Sequence, residues 1–461
     1  MHFNLPKIIC SKNGFVENRG KFKLQLNSKL KAFLMLNKNS NRWFIAIMGT
    51  LLQIVLGTVY AWSFFQKPIM LEYGWTNVQT MWIFSIAILF LGLSAAVGGM
   101  ILPKFGPRKL AITGAILYSS GYLISAYAMS IGSLSLFYFG FGVIGGIGLG
   151  LGYVTPVATV SKWFPDKRGL ITGMVVMGFG LGALIMSKVI APIFIKLAEG
   201  NMVEVFIYIS AVLFVIGFPA ALSMKNPPTG FVPTGYVVAE NNIFNHDVKN
   251  ELTLKESLLS SQFIGMWFVF FLNISAGIMF ISMQSPMIQD LLIQKNPTMS
   301  AKNLAVAGGT LIAISSLFNG FGRFLWGGLS DKLGRIQVFR LILGSQIIVF
   351  IVLMLTTNSY IFGALVCYIL LCYGGGFGAM PSYILDVFHE KLMPVMYGVI
   401  LTAWSMGGIV GPQVAAFIRD FYVQNPELIG PRTYLTGIAL LSIGFLITLV
   451  LSNKPIKSKK T

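Results

Sequence analysis

Residues 317–335 read LFNGFGRFLWGGLSDKLGR, an apolar run that is interrupted by Arg323 and ends in a short charged loop. The apolar part is predicted to be a membrane-spanning helix. A guanidinium at membrane depth costs roughly 2.5 to 3.5 kcal/mol on insertion scales, so it is expected to face a cavity and meet an anion there. Because no Asp or Glu stands in the middle of a predicted span, we expect that anion to be a bound solute.

The charged loop has a counterpart in the first half of the chain. Residues 98–108 read GGMILPKFGPR, and aligning Lys104 with Lys332 places the two loops about half a chain length apart. A repeat at this spacing indicates a duplicated unit, and two units imply a cleft between them. The copies differ at one position, since Pro103 stands where the second loop has Asp331.

Composition places the chain among membrane proteins with many spans. Of 461 residues, 55% are hydrophobic and 11% are charged, which is far from a soluble globular composition. Twelve apolar stretches have about the 20 residues needed to cross a bilayer. They lie near residues 43–65, 80–102, 109–129, 133–157, 169–192, 204–223, 262–287, 304–328, 336–356, 360–384, 394–418 and 434–452.

The formal net charge of +19 fits membrane topology better than a nucleic-acid partner, because the basic residues are spread over loops and tails. Most Lys and Arg residues fall in the tails and loops of one side. The positive-inside rule therefore predicts that both termini and the central loop are cytoplasmic. A cell or inner membrane is expected, and the basic leader leaves an organelle membrane as the alternative.

The fold class predicted is an all-α membrane protein with twelve transmembrane helices in two pseudo-symmetric six-helix bundles. The expected parts are a basic cytoplasmic tail at 1–42, a first bundle at 43–224, a cytoplasmic linker at 225–260, a second bundle at 261–452 and a basic tail at 453–461. The three cysteines form no disulfide framework, and no His, Asp, Glu or Cys cluster falls inside a span. We therefore expect no metal, no cofactor and no enzyme activity.

Several segments resemble the oxalate/formate antiporter family of the major facilitator superfamily. They are residues 161–173, 178–182 and 317–335, Tyr397-Gly398 with Gly411-Pro412, Tyr60-Ala61-Trp62 and Tyr373-Gly374-Gly375. Broader relatives are the monocarboxylate transporters of animal cells, which also place an arginine in span eight. The resemblance implies a transporter whose two bundles rock around a site at the middle of the membrane.

The resemblance implies that Arg323 binds the carboxylate of the substrate. A planar fork of donors suits this task, because it forms two parallel hydrogen bonds to a carboxylate. The alternative is a side chain that snorkels to the surface. Asn319 lies one turn earlier on the same helix face and could add a hydrogen bond. Animal relatives carry an aspartate there, so proton symport and anion exchange both stay open.

In oxalate-carrying members a second basic residue stands in span eleven, where this chain has Trp404. One guanidinium suits one carboxylate, since a dianion would leave a charge poorly neutralised at low dielectric. A monocarboxylate such as lactate or pyruvate is therefore predicted before oxalate. By family analogy Tyr60, Tyr373, Phe377 and Trp404 wall the anion from water.

Two further sets of basic residues need an interpretation. Lys188 is predicted to snorkel near the opposite interface instead of forming a second ligand. The superfamily signature implies that the charged loops latch the closed cytoplasmic side, with basic turns that only fix topology as the alternative. The residues expected in this cytoplasmic gate are Lys104, Arg108, Asp331, Lys332 and Arg335.

Two other functions compete with monocarboxylate transport. The nearer one is a dicarboxylate antiporter of the oxalate/formate type. The other is a carboxylate receptor that does not transport, although the tails and the central loop are too short for an ordinary signalling domain. The expected partners are a small carboxylate anion, the lipid bilayer and, for symport, a proton. We expect a monomer.

Overall fold

The computed structural model describes residues 42–164, 166, 168–228, 231–233, 252–388, 392–454 and 456. Within these residues, 12 helices are long and apolar enough to cross a membrane. They are α1 (Arg42–Tyr73), α2 (Asn77–Phe105), α3 (Pro107–Ser130), α4 (Leu134–Trp163), α5 (Ile171–Leu197), α6 (Met202–Leu222), α7 (Ser261–Lys295), α8 (Ala301–Leu333), α9 (Arg335–Leu355), α10 (Ser359–Val387), α11 (Val395–Phe421) and α12 (Pro426–Val450). The twelve predicted spans are confirmed.

Most helices are longer than the predicted spans. Helix α7 has 35 residues, or about 52 Å at 1.5 Å per residue, whereas the hydrocarbon core is about 30 Å thick. The extra turns contain polar residues, such as Asp290 and Lys295 in α7, so hydropathy alone underestimates the helix lengths. The sequence-based boundaries of the tails, bundles and linker stay predictions, and the tail at 1–41 lies outside the described residues.

The two repeated loops have the same local structure. Gly106 and Gly334 have φ values of 79° and 89°, a region that favours glycine because it has no Cβ. Their backbone N–H groups donate to Leu102 and Ser330 at 2.9 Å and 3.1 Å. Each glycine thus ends one helix while the next helix begins immediately. The repeat in the sequence corresponds to a repeat in the fold.

The first six helices and the last six pack most extensively at two helix pairs, here called seams. Helix α2 packs on α11, and α5 packs on α8. At the second seam a Cβ atom on Gly180 would lie only 2.7 Å from the Cα atom of Gly320. Backbone therefore packs directly on backbone, which is how small residues bring membrane helices together.

We expect Gly180→Val to destabilise the protein, because its side chain would collide with the backbone of α8. Overpacking of this kind costs typically about 1–3 kcal/mol. The matched control is Gly328→Ala in α8, where an added Cβ meets nothing within 4 Å. The measurement is the apparent unfolding temperature of the purified variants in detergent. Equal unfolding temperatures for both variants would contradict the close seam.

Candidate functional site

Arg323 lies in α8 with only 1% of its surface exposed. Its Nη1 atom donates a hydrogen bond to the backbone oxygen of Val176 in α5 at 3.2 Å. Its guanidinium carbon lies 4.8 Å from the ring centre of Phe377 and 5.7 Å from that of Phe179. Because the side chain is buried, the snorkelling alternative is wrong.

The other guanidinium nitrogens have no partner among the residues that the structure describes. Both Nε and Nη2 of Arg323 are buried without a hydrogen bond, and no carboxylate among the described residues forms an ion pair with Arg323. These two nitrogens form the side edge of the guanidinium, which can hold both oxygens of one carboxylate. The free edge therefore has the geometry for a bidentate anion contact.

The four aromatic residues predicted for the site come together beside Arg323. The ring centres of Phe377 and Trp404 are 4.8 Å apart, and those of Tyr60 and Trp404 are 6.3 Å apart. Tyr60 and Tyr373 are also neighbours, at 6.0 Å. Each of these rings exposes 2% or less of its surface. They form a buried aromatic cluster to which both halves of the molecule contribute.

A direct hydrogen bond joins the halves inside this cluster. The hydroxyl oxygens of Tyr60 in α1 and Tyr373 in α10 are 2.5 Å apart, and either one can donate. The indole Nε1 of Trp404 is buried without a partner. Among the described residues, the cluster thus holds neutral donors without a partner besides the free edge of Arg323.

Irregular helix turns position two of these rings. Tyr60 lies in a 3₁₀ turn, Thr58–Ala61, within α1. The α-helical segments Met393–Ile400 and Thr402–Phe421, which overlap α11, are separated at Leu401. Trp404 follows directly after that break. Such local departures from α-helical geometry change the direction of a side chain and often occur at functional sites.

Two residues of the cluster were not predicted. The ring of Phe179 lies 5.1 Å from Tyr60 and 5.6 Å from Trp404. The ring of Tyr153 in α4 lies 5.2 Å from Trp404, and its hydroxyl has no partner. The available signals were weak: Phe179 stands inside the segment 178–182, and Tyr153 follows the glycine-rich part of α4.

Asn319 is also buried, with 1% exposed, and its Oδ1 atom has no partner. It faces α10, because a Cβ atom on Gly374 would lie 2.9 Å from that oxygen. The side chain therefore lies at the contact of α8 with α10, and its predicted bond to a substrate stays a prediction.

Lys188 lies away from this cluster. It is exposed and donates from Nζ to Oγ1 of Thr310 at 2.6 Å. Thr310 precedes Arg323 on α8 by thirteen positions, a rise of about 20 Å. Lys188 therefore supplies no second cation next to Arg323.

The predicted gate residues do not meet across the two halves. Arg335 pairs with Asp331 at 2.6 Å and with Asp386 at 2.8 Å, both within the second half. Lys104, Arg108 and Lys332 are exposed. In the part of the chain that the structure describes, no ion pair joins the two loops. Their role as a gate stays a prediction.

Comparison with known proteins assigns the family. The sequence profile of the Major Facilitator Superfamily matches residues 43–412. The Oxalate:formate antiporter of Oxalobacter formigenes is 26% identical over 399 residues, covering 84% of this chain and 87% of that protein. The Apicoplast pyruvate carrier 1 of Toxoplasma gondii is 25% identical over 376 residues, covering 70% and 66%.

A solved structure agrees with the fold. A bacterial homolog of the human lysosomal transporter Spinster, inward-facing and unoccupied, has a TM-score of 0.63 and 17% identity, covering 89% of this chain and 97% of that one. At this identity the likeness concerns the fold alone. With twelve potential spans and a family match over most of its length, the chain belongs to the Major Facilitator Superfamily and is a membrane transporter.

Proposed function

We propose that the chain is a secondary active transporter of small monocarboxylates that works by alternating access of its two halves. The observation that carries this proposal is the free Nε and Nη2 edge of Arg323, buried without a partner. An unpaired buried charge is strongly unfavourable. A carboxylate bound there would satisfy both donors with charge-assisted hydrogen bonds.

The choice of a monocarboxylate rests on the single cation. Trp404 contributes a neutral N–H donor and ring surface, not a second charge. Lys188 contacts Thr310, which lies about 20 Å from Arg323 along α8. The rings of Tyr60, Phe179 and Phe377 offer apolar surface to a short carbon chain. Lactate and pyruvate fit this set, because each has one carboxylate, a short chain and one further oxygen for a neutral donor.

Two relatives support carboxylate transport in different ways. One is named a pyruvate carrier, which favours a monocarboxylate. The other is named an oxalate:formate antiporter. That name favours the second candidate, a dicarboxylate antiporter of the oxalate/formate type. Competition between lactate, pyruvate, formate and oxalate for one labelled substrate separates the candidates.

The coupling mode is either anion exchange or proton symport. Asn319 cannot carry a proton as a carboxylate would, and no Asp or Glu among the described residues pairs with Arg323. A proton would therefore have to travel on the substrate or on another group. Uptake driven by a pH gradient, compared with uptake driven by internal anion, distinguishes the two modes in proteoliposomes.

We expect Arg323→Ala to abolish uptake of labelled lactate into proteoliposomes. Two hydrogen bonds to a charged group contribute about 1.5–3 kcal/mol each, so the loss should be on the order of 100-fold or more. The control is Arg432→Ala, which removes an exposed arginine from the first turns of α12. If the chain is a receptor instead, the parent protein should bind lactate but should not accumulate it inside the vesicles. Uptake by Arg323→Ala at the parental rate would refute the proposed site.

We expect Trp404→Lys to shift the preference from monocarboxylates toward oxalate, because it adds the second positive charge that a dianion needs. Trp404→Phe keeps a neutral ring and should leave the preference unchanged. The measurement is the ratio of oxalate to lactate concentrations that halve uptake of labelled substrate. If the parent already prefers oxalate, the argument from the single charge is wrong.

A further inference from the structure

The face opposite the start of α1 and the end of α12, here called the distal face, carries polar contacts between the two halves. Lys67 at the end of α1 donates from Nζ to Oε1 of Gln289 in α7 at 3.2 Å. A second contact joins α11 to the first turn of α2 through Asp420. Among the described contacts between the halves on this face, it is the one that involves a carboxylate.

Asp420 binds the N-terminus of α2 with both oxygens. Its Oδ1 atom accepts from Nδ2 of Asn77 at 2.9 Å, and its Oδ2 atom accepts from the backbone N–H of Val78 at 3.1 Å. Backbone N–H groups in the first turn of a helix have no partner inside the helix, and the helix dipole makes this end positive. The carboxylate of one half thus holds the positive helix end of the other half.

Among the described residues, the groups that cap α2 do not compete with Asp420 for the N–H of Val78. Thr76 and Gln79 cap α2 from within and satisfy each other's backbone N–H groups, so the N–H of Val78 stays free for the carboxylate. The adjacent cation Arg419 pairs instead with Asp290 at 2.6 Å, inside the second half.

We propose that Asp420 is a positioning residue that latches the distal side closed, a role that rests on the proposed alternating access. The seam that it fastens continues inward, where Ser405 Oγ donates to the backbone oxygen of Leu89 at 2.9 Å. Ser405 follows Trp404 on α11. Asp420 itself lies sixteen residues from Trp404, about 24 Å along the axis, so it acts through α2 and not on the solute.

The latch is reversible, because water replaces both hydrogen bonds when α2 and α11 separate. The closed state keeps the charge against the helix end, and the open state exposes it to solvent. Removing the charge should therefore shift the equilibrium toward distal opening. Since the two sides open alternately, the opposite end of the same seam should close further.

The test follows two cysteine reporters on α2, each packed against α11. Ser85→Cys lies in the distal half, where Gln413 contacts Ser85 at 3.3 Å. Ala96→Cys lies in the other half, against Gly398. Maleimide labelling of each reporter in the purified full chain is read by peptide mass spectrometry, which follows the native cysteines separately.

We expect Asp420→Asn to raise the labelling rate at position 85 about three- to tenfold and to lower the rate at position 96. The matched control, Glu427→Gln, removes an exposed carboxylate on the same face and should change neither rate. Asn77→Ala removes one of the two donors and should give a smaller shift in the same direction.

Unchanged rates in Asp420→Asn and Asn77→Ala would overturn the latch. A higher labelling rate at both positions would also overturn the latch. It would show that the α2–α11 contact loosens along its whole length, instead of opening on the distal side while it closes on the other. The labelling needs no solute, so a failure of carboxylate uptake in the parent protein would count against the proposed function and leave this result standing.

Discussion

The candidate site depends on one charge that is buried away from water and has no counter-ion among the described residues. The guanidinium of Arg323 has a single backbone acceptor and two ring faces beside it. Cation–π contacts contribute about 0.5–2 kcal/mol, whereas removing an ion from water costs several kcal/mol. The remaining cost supports the proposal that an anion binds at this site. The aromatic cluster keeps water out, which strengthens whatever electrostatic contact the guanidinium makes.

Features that have a local signature could be predicted from the sequence. Span number follows from apolar length, and the duplicated loop follows from a short match that the fold repeats at Gly106 and Gly334. Arg323 stands out because a charge in an apolar run is rare. Family resemblance supplied the prediction that four aromatic residues come together, namely Tyr60, Tyr373, Phe377 and Trp404. Neither composition nor periodicity distinguishes these rings from other buried aromatic residues.

The features that escaped prediction depend on helix rotation and distant pairing. Phe179 is one of 37 phenylalanines, and only the packing of α5 turns it toward Arg323. The contact of Asp420 with the start of α2 joins residues 342 positions apart. No pattern along the chain predicts it. Lengths of the helix ends were underestimated for a simpler reason, because polar terminal turns carry no hydropathy signal.

The bond between the hydroxyls of Tyr60 and Tyr373 bears on how the carrier completes its cycle. These side chains belong to different halves, and each gives the other a partner in a region that excludes water. For the proposed alternating access, this bond would let the halves close without an anion between them. A carrier with that ability can return empty and so sustain net flux, whereas one whose halves close only around an anion is restricted to exchanging one anion for another.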